Sequence, residues 1–251
     1  MSVQKLKQLH HQKQPLMIAN TWDAISAKAA EKAGLEVMGT SSHAIANMLG
    51  YEDGEVIPFE EMFFIIKKIA KSSSLLVSCD IEAGYSDDAV EVAKNIEKLV
   101  SAGVVGINIE DGLTQGKERH LGDPAILAAK IKAVKERLQK QGKDVFINAR
   151  IDTYTTKHPD ALNETLKRIR IYEEAGADGF FIPLINEDQD IQAVFETTKL
   201  PLNVFMKEGL KSYGEFAALG VHRVSSGNGI HAIVTEATNK AFEKLNKEKS
   251  L

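Results

Sequence analysis

The chain is poor in cysteine, with a single residue of this type, Cys79, among 251 residues. One cysteine excludes an internal disulfide framework and suits a reducing compartment, so we expect a cytoplasmic protein. No apolar run approaches the roughly 20 residues of a membrane span. The polar stretch 1–14 also lacks the apolar core of a signal peptide. We therefore expect no membrane partner.

Positive charge is not in excess either, and no proline-, glycine- or serine-rich linker divides the chain. The sequence has 31 Lys and Arg against 35 Asp and Glu, and no basic run long enough to cover a face. This balance disfavours nucleic acid as a partner. With 43% hydrophobic residues, the chain is predicted to form one large domain over 1–251. Within it we expect a polar lead-in over 1–14 and a final helix over 229–246.

A recurring phrase is the strongest pattern that the sequence does contain. It consists of the tail of a helix, a small residue or leucine followed by glycine, and an apolar strand. Glycine accepts the left-handed conformation that ends a helix, and a strand then begins within a few residues. The phrase occurs at Ala33-Gly34, Ala102-Gly103, Ala175-Gly176 and Leu219-Gly220.

Extending this pattern along the chain predicts eight strands and eight helices. The strands are expected near 16–19, 36–40, 75–80, 104–109, 145–149, 179–182, 202–205 and 221–224. The helices are expected near 24–33, 58–71, 87–101, 124–140, 160–175, 187–197, 211–218 and 229–246. Eight strand–helix units in about 250 residues predict an α/β fold, the (β/α)8 TIM barrel. The alternative, an open doubly wound sheet, usually has a glycine-rich first turn, and no GxGxxG motif occurs here.

Carboxylates follow two of the predicted strands directly. Asp80 and Glu82 end one strand, and Glu110 and Asp111 end the next along the chain. Clustered acids repel one another and lose hydration, so they need a compensating cation or a proton. At the mouth of an α/β barrel, such a cluster predicts a divalent-metal site.

Strand alternation predicts which of these side chains face the barrel interior. The apolar face, which should meet the helices, comprises Leu75, Val77, Cys79 and Ile81 in one strand and Val105, Ile107 and Ile109 in the next. Asp80, Glu82 and Glu110 then point inward, whereas Asp111 does not. Charged strand ends are often simply solvated. Three inward acids at this rim nevertheless favour a functional site.

The same alternation directs Arg150 and Asn203 inward. Mg²⁺ prefers oxygen ligands and keeps several waters, and a 2-oxo acid offers a carboxylate and a carbonyl oxygen in chelating position. Such a metal would stabilise an enolate as it forms. Arg150 is expected to hold a carboxylate or phosphoryl group by a bidentate contact. The alternative for Arg150 is a structural ion pair with a neighbouring acid.

Six segments of the chain match a known family. They read NTWDAISAKAAEKAG, GTSSHAIANMLGYEDGE, CDIEAGYSDD, GINIEDG, INARIDTY and LPLNV. Over nearly its whole length the chain resembles the isocitrate lyase/phosphoenolpyruvate mutase superfamily. It is most similar to the compact phosphonomutase-like branch of that superfamily.

The resemblance implies a barrel that binds Mg²⁺, with Mn²⁺ as an alternative, and a small 2-oxo acid or phosphonate. It implies that Asp80 contacts the metal and that Glu82 and Glu110 hold metal-bound waters. It also implies that Asp53, in the GYEDGE segment, lies beside the substrate.

The resemblance further implies a set of substrate-binding residues. Ser41 and the backbone amides of Ser42 and His43 correspond to a loop that receives the substrate carboxylate. Arg150 and Asn203 correspond to residues near the far end of the substrate. Leu184 stands where some lyases have an acid, which predicts a less polar far end.

Family members tend to form dimers or tetramers in which the last helix packs on a neighbouring subunit, and we expect a homodimer or homotetramer here. The final helix carries an apolar stripe that permits this exchange and would equally permit packing on its own barrel. The stripe comprises Ile230, Ile233, Val234, Ala237, Ala241 and Leu245.

The chain departs from the family in the loop after the fourth strand. Lyases carry a Lys-Arg-Cys-Gly-His-type motif there, whose cysteine supplies a proton, and the phosphonopyruvate enzymes carry a Lys-Thr-Asn-like loop. The matching stretch 113–121 has neither, and only His120 in it is a candidate acid or base. This disfavours isocitrate or methylisocitrate lyase activity and weakens the mutase and phosphonopyruvate hydrolase assignments. It favours an oxaloacetate-decarboxylase-like reaction. A non-catalytic paralogue that senses a 2-oxo acid or phosphorylated metabolite remains the alternative.

Two further stretches receive structural interpretations. His10 and His11 lie in the polar start and are expected to be solvated. The segment 225–229 is expected to cap the final helix through Ser226 and Asn228. A phosphate site at this helix start is the alternative.

Overall fold

Eight parallel strands close into a barrel in the computed structural model of the chain, which describes residues 2–116 and 118–250. The barrel strands are β1 Leu16–Thr21, β2 Val37–Thr40, β3 Leu76–Asp80, β4 Val104–Glu110, β7 Phe146–Arg150, β8 Gly179–Phe181, β9 Leu202–Phe205 and β10 Arg223–Ser225. A two-stranded antiparallel hairpin, β5 Gly112–Gln115 and β6 Glu118–Leu121, follows β4. Around the ring the strand order is β1-β10-β9-β8-β7-β4-β3-β2. The predicted (β/α)8 TIM barrel is confirmed.

Ten helices accompany these strands in the described residues. They are α1 Val3–Leu9, α2 Ala24–Lys32, α3 Ser42–Met48, α4 Phe59–Ser72, α5 Ala89–Ser101, α6 Pro124–Gln139, α7 Ala161–Ala175, α8 Asp188–Thr197, α9 Tyr213–Ala218 and α10 Gly229–Glu248. The sequence patterns did not predict α1, α3 or the β5–β6 hairpin. None of the described helices is both long and apolar enough to cross a membrane.

Local signals explain several helix boundaries. Asp23 begins α2 with a capping box, in which its side chain accepts a hydrogen bond from the amide of Ser26 at 2.7 Å. Asp88 accepts from the amide of Val90 at the start of α5. Gly176 ends α7 in the left-handed conformation with φ of 105°, as the helix-tail phrase predicts.

The lower end of the barrel is closed by α1, which packs its apolar residues into the interior. Leu6 and Leu9 are buried in a cluster that includes Leu76 of β3. His10 follows them and is only 2% exposed, with its ring stacked on Phe146 at a centroid distance of 4.5 Å. The prediction that His10 is solvated is therefore wrong, because the polar start folds back under the barrel. Its Nδ1 donates to the Leu6 carbonyl at 2.8 Å, and burial lowers the pKa of His10 to about 3.

A β-bulge in β4 changes one predicted facing. Val77 pairs with Val104, but Ser78 pairs with Gly106, so the register shifts by one residue. Val105 consequently joins the interior cluster with Leu6, whereas alternation predicted that it would face the helices. Beyond the bulge the predicted facing returns, and Ile107 and Ile109 pack in the outer core.

The final helix α10 has no buried residue, although His231 in its first turn meets the Trp22 ring with 5.0 Å between the ring centroids. Ile233 is 70% exposed and Phe242 is 66% exposed on its surface. The expected caps are also wrong in detail. Asn228 precedes the helix without a capping hydrogen bond, and the Ser226 hydroxyl instead accepts from the Asn20 amide at 3.0 Å.

Candidate functional site

A cavity of about 270 Å³ opens at the C-terminal ends of the barrel strands. It brings together six of the residues that the sequence singled out, namely Ser41, Ser42, His43, Asp53, Asp80 and Arg150. A neighbouring cavity of about 310 Å³ is lined by Glu82, Glu110 and His120. The predicted site is therefore divided between two adjoining cavities.

Asp80 ends β3 and is held in place by the residues beside it. Its Oδ2 accepts from the Ser42 hydroxyl at 2.8 Å, and its own amide donates to the Thr40 hydroxyl at 2.9 Å. Burial raises the pKa of Asp80, and the nearby Arg150 charge only partly opposes this. A buried carboxylate in this state favours a cation as partner.

The pKa values of Glu82 and Glu110 are also raised, as that of Asp80 is. Burial, followed by the charge of Glu110, raises the pKa of Glu82 to about 9. Burial also raises the pKa of Glu110 to about 8. Glu82 has a positive φ of 48°, and its Oε1 accepts from the Tyr85 hydroxyl at 3.3 Å. Its strained backbone turns the carboxylate toward the neighbouring cavity.

These three acids fit a cation that is held mainly through water. Across residues 2–116 and 118–250, no three His, Cys, Asp or Glu side chains converge closely enough to form a metal cage. Mg²⁺ does not require such a cage, because it keeps several waters and takes one or two protein carboxylates together with substrate oxygens. The raised pKa of Glu82 indicates that negative charge at this position lacks compensation in the protein alone, whereas Glu110 already pairs with Arg119 and Arg150.

Arg150 makes the structural ion pairs that the sequence left open as its alternative role, and substrate contact by Arg150 stays a prediction. It lines the cavity, and its Nη1 donates to Glu110 Oε2 at 2.8 Å. Its Nε and Nη2 donate to Asp152 Oδ1 at 2.9 Å and 2.8 Å. Asp152 is fully buried and takes no part in lining the cavity, so it orients the guanidinium from behind.

Arg119 is a cavity residue that the sequence analysis missed. It comes from β6 of the hairpin, and its Nη2 donates to Glu110 and, at 2.8 Å, to Asp152. The two guanidiniums of Arg119 and Arg150 thus share two carboxylates at one end of the cavity. The sequence signal for Arg119 is the Lys-Glu-Arg-His run of this loop, in which Arg119 directly precedes His120.

Asp111 lines neither of the two cavities and instead makes hydrogen bonds within the protein, as strand alternation predicts. Its Oδ2 accepts from Arg168 Nη1 and from the Tyr172 hydroxyl, each at 2.8 Å. Its Oδ1 accepts from the Asp152 amide at 2.9 Å. The carboxylate next to Glu110 therefore fixes the segment that carries Asp152.

His43 and Asp53 form an ion pair on the other side of the cavity, with 3.5 Å between His43 Nδ1 and Asp53 Oδ2. The hydrogen bond to Asp53 raises the pKa of His43. Burial acts to raise the pKa of Asp53, but the His43 hydrogen bond and charge, with Arg119, bring it below its ordinary value. The Ser41 hydroxyl accepts from the Ala44 amide at 3.2 Å as the cap of α3.

The side of the cavity at the ends of β8 and β9 is largely apolar. Phe181, Pro183, Leu184 and Phe205 line it, together with Lys207. Leu184 occupies the predicted place. Asn203 does not line the cavity, since it is buried in the interior layer below and hydrogen-bonded to Asn148 at 3.0 Å. Direct substrate contact by Asn203 is thus a prediction that this placement does not favour.

Comparison with known proteins places this cavity in context. A family model of phosphoenolpyruvate phosphomutase matches residues 6–246. An uncharacterized protein of Mycobacterium tuberculosis is 36% identical over 220 residues, which are 88% of this chain and 80% of that protein. A candidate phosphonomutase from Burkholderia cenocepacia J2315 has a crystal structure that superposes with a TM-score of 0.90 at 32% identity. That match covers 96% of this chain and 99% of the other.

Two relatives with named activities have nearly the same sequence identity to this chain. An oxaloacetate decarboxylase of Bradyrhizobium sp. strain BTAi1 is 29% identical, covering 90% of this chain and 77% of that protein. A 2-methylisocitrate lyase of Halalkalibacterium halodurans is 27% identical, covering 81% and 67%. Overall similarity therefore does not distinguish between these two reactions.

Proposed function

The chain belongs to the phosphoenolpyruvate phosphomutase family, and from this premise we propose a Mg²⁺-dependent enzyme that acts on a 2-oxo acid through an enolate. The observation that carries the proposal is that Asp80 and Arg150 line the same cavity at the barrel mouth. A carboxylate that favours a cation and a guanidinium that favours an anion suit the two ends of a small anionic substrate.

In this proposal the metal is held by Asp80 directly and by Glu82 and Glu110 through waters, with Mn²⁺ as an alternative ion. When bound, such an ion supplies positive charge that stabilises negative charge developing on substrate oxygens. The raised pKa of Glu82 supports this assignment, because a bound cation would offset the burial and the repulsion from Glu110 and Asp80 that raise it.

The side chains of the protein then have separate tasks. Arg150 and Arg119 orient the far anionic group, while Asp152 keeps both guanidiniums from turning away. The β5–β6 hairpin brings Arg119 to this cavity. His43 and Asp53 are placed to hold a proton between Nδ1 and Oδ2 beside the substrate. His120 remains a candidate acid or base in the neighbouring cavity.

An oxaloacetate-decarboxylase-like reaction is favoured over isocitrate or methylisocitrate cleavage. The only cysteine, Cys79, is fully buried among the outer core, and burial raises its pKa to about 12. It therefore does not supply the proton that the lyases take from a loop cysteine. Loss of carbon dioxide from a 2-oxo diacid leaves an enolate, and protonation of that enolate requires no thiol.

The alternative is a non-catalytic paralogue that senses a 2-oxo acid or phosphorylated metabolite. Glu110 favours this alternative, because it already pairs with both Arg119 and Arg150. A carboxylate neutralised in this way has less charge to offer a hydrated cation.

A turnover panel in the presence of Mg²⁺ distinguishes these proposals. The substrates are oxaloacetate, phosphonopyruvate, phosphoenolpyruvate and 2-methylisocitrate. The enzyme proposal expects product that disappears with EDTA and with Asp80→Ala, while the exposed control Asp188→Ala retains it. Binding of Mg²⁺ and a 2-oxo acid without turnover supports the sensor, and binding of neither contradicts the site itself.

We also propose that the protein is a homodimer or homotetramer that covers α10 of each subunit. The apolar stripe of α10 contacts no other part of its own barrel closely enough to be buried, and exposed stripes of this kind mark interfaces. Sedimentation should show an oligomer for the full chain and a smaller species for Ile233→Asp. A monomeric wild-type chain contradicts the assembly but not the activity.

A further inference from the structure

A relay of three asparagine amides crosses the barrel interior beneath the cavity. Asn148 of β7 lies in the middle, and its Nδ2 donates to Asn108 Oδ1 at 2.8 Å and to Asn203 Oδ1 at 3.0 Å. The strand between β7 and β9 places Gly179 in register with Asn148. Asn148 thus reaches past β8 to Asn203 on β9.

The first end of the relay determines how its amides are turned. Asn203 Nδ2 lies 2.5 Å from the Val204 carbonyl oxygen and 3.3 Å from the Arg223 carbonyl oxygen. Carbonyls only accept, so the group facing them must be the amide nitrogen. Asn203 therefore turns its oxygen toward Asn148. Asn148 therefore donates to both neighbours through its Nδ2, and Asn108 accepts through its Oδ1.

The second end leads independently to the same orientation. The Arg223 side chain is buried below the cavity, and its Nη2 donates to Asn108 Oδ1 at 3.4 Å and to Ser78 Oγ at 3.2 Å. A guanidinium only donates. Burial lowers the pKa of Arg223 to about 10, which still leaves it charged at neutral pH. An amide nitrogen facing this charge would be repelled, so Asn108 keeps its oxygen on this side.

The nitrogen of Asn108 is one of the relay groups that make no hydrogen bond, and it differs from the buried, unpartnered Arg223 Nε and Nη1 because Asn108 lies at the cavity. Within the part of the chain that the structure describes, Asn108 Nδ2 makes no hydrogen bond. It is also absent from the set of fully buried polar atoms that lack a hydrogen-bond partner. Asn108 lines the cavity and is the register partner of Asp80 across β3 and β4. Its two N–H groups thus open into the cavity beside the proposed metal residue.

We propose that Asn108 Nδ2 is a preset hydrogen-bond donor to an anionic oxygen of the bound 2-oxo acid, and that Arg223, Asn148 and Asn203 are positioning residues for it. The inference rests on the proposed function and adds a substrate contact to it. A donor that is oriented before the ligand arrives stabilises developing negative charge without reorganisation. Asn203 then acts on the substrate through Asn148 rather than by contact.

The first test observes the side-chain amide of Asn108 directly by ¹H–¹⁵N spectroscopy of the labelled full chain. The probe is oxalate, a planar dianion shaped like an enolate, added with MgCl₂. Asn108→Asp removes one NH₂ pair from the spectrum and so identifies it. That pair should shift when oxalate saturates the wild-type chain. The pair of Asn163, which lies on the exposed surface of α7, should not move.

Titration calorimetry measures the affinity for oxalate of the wild type and of the same variants. Asn108→Asp should weaken oxalate binding roughly ten- to hundredfold, as expected for a lost hydrogen bond to a charged group. Asn163→Asp should bind as the wild type does. An unshifted Asn108 pair together with unchanged affinity in Asn108→Asp overturns the inference and leaves the proposed function standing. A wild-type chain that binds no oxalate overturns both.

The positioning claim has its own test, because Arg223 does not line the cavity. Arg223→Met should weaken oxalate binding about tenfold, and Arg223→Lys, which restores a charged donor, should recover most of it. Circular dichroism checks that each variant folds. If Arg223→Met does not fold, Asn148→Ala breaks the relay at its centre and should weaken oxalate in the same way. Wild-type affinity in a folded relay variant overturns the positioning claim.

Discussion

Neighbouring acids Glu110 and Asp111 are expected to respond oppositely to neutral substitution. Glu110 faces the proposed metal, whereas Asp111 accepts three hydrogen bonds from Arg168, Tyr172 and the Asp152 amide. Asp111→Asn should therefore reduce the free energy of unfolding, and Glu110→Gln should reduce Mg²⁺ affinity.

The magnitude for Asp111→Asn follows from the burial of its partner. Breaking a buried ion pair typically costs about 3–5 kcal/mol. Arg168 keeps hydrogen bonds to Glu164 and to the Gly122 carbonyl, so its charge is not left alone, and we expect the lower end, about 3 kcal/mol. In a chain of this size each kcal/mol shifts Tm by roughly 2–4 °C, so the expected loss is about 6–12 °C.

Thermal unfolding by circular dichroism and Mg²⁺ titration calorimetry measure the two effects separately. Asp111→Asn should lose stability and retain Mg²⁺ affinity, measured well below its Tm. Glu110→Gln should weaken Mg²⁺ binding by at least tenfold, about 1.4 kcal/mol. Weaker Mg²⁺ binding in Asp111→Asn than in Glu110→Gln would refute the facing that strand alternation assigns.

Three further predictions concern protonation, the hairpin and the barrel plug. Because the pKa of Glu82 is raised from 4.5 to about 9, the folded metal-free chain binds more protons than the unfolded chain, and its stability should fall as pH rises through this window. Mg²⁺ binding at pH 7 should accordingly release about one to two protons, measured by calorimetry in buffers of different ionisation enthalpy; no proton release would contradict the metal assignment. Gly112→Ala places a Cβ 2.2 Å from Asp152 Oδ2 and 2.7 Å from Arg119 Nε, so this variant should have a lower Tm than the wild type. The control Gly214→Ala places a Cβ with nothing within 4 Å and should not lower Tm. Equal Tm values for the two variants would show that Asp152 and Arg119 do not lie this close to Gly112. Leu6→Ala should cost about 2–5 kcal/mol in chemical denaturation, because Leu6 is fully buried in the barrel; a cost below 1 kcal/mol would mean that α1 is not a plug.

Much of the fold could be predicted because its signals are local. The glycine phrase located helix ends, and period-two alternation directed Glu110 inward and Asp111 outward. The same rule failed at Val105, because a β-bulge depends on how β4 pairs with β3 and leaves no mark in the period of one strand. It also failed at His10, whose burial depends on α1 reaching under a barrel formed by the rest of the chain.

Much of the candidate site could not be predicted because its partners are distant in sequence. Arg119 reaches Asp152 only after the β5–β6 hairpin folds over the barrel mouth. Asn203 reaches Asn148 only across Gly179, on a strand that lies between theirs.

The sequence by itself determined the barrel, the inward acids Asp80, Glu82 and Glu110, and the family to which they belong. Periodicity and short motifs are properties of neighbouring residues, so they can be read without coordinates. Only the tertiary structure decided which cations meet these acids and which way the Asn108 amide is turned. Those outcomes depend on donor and acceptor chemistry between side chains far apart in the chain, such as Arg223 and Asn108, which are 115 positions apart.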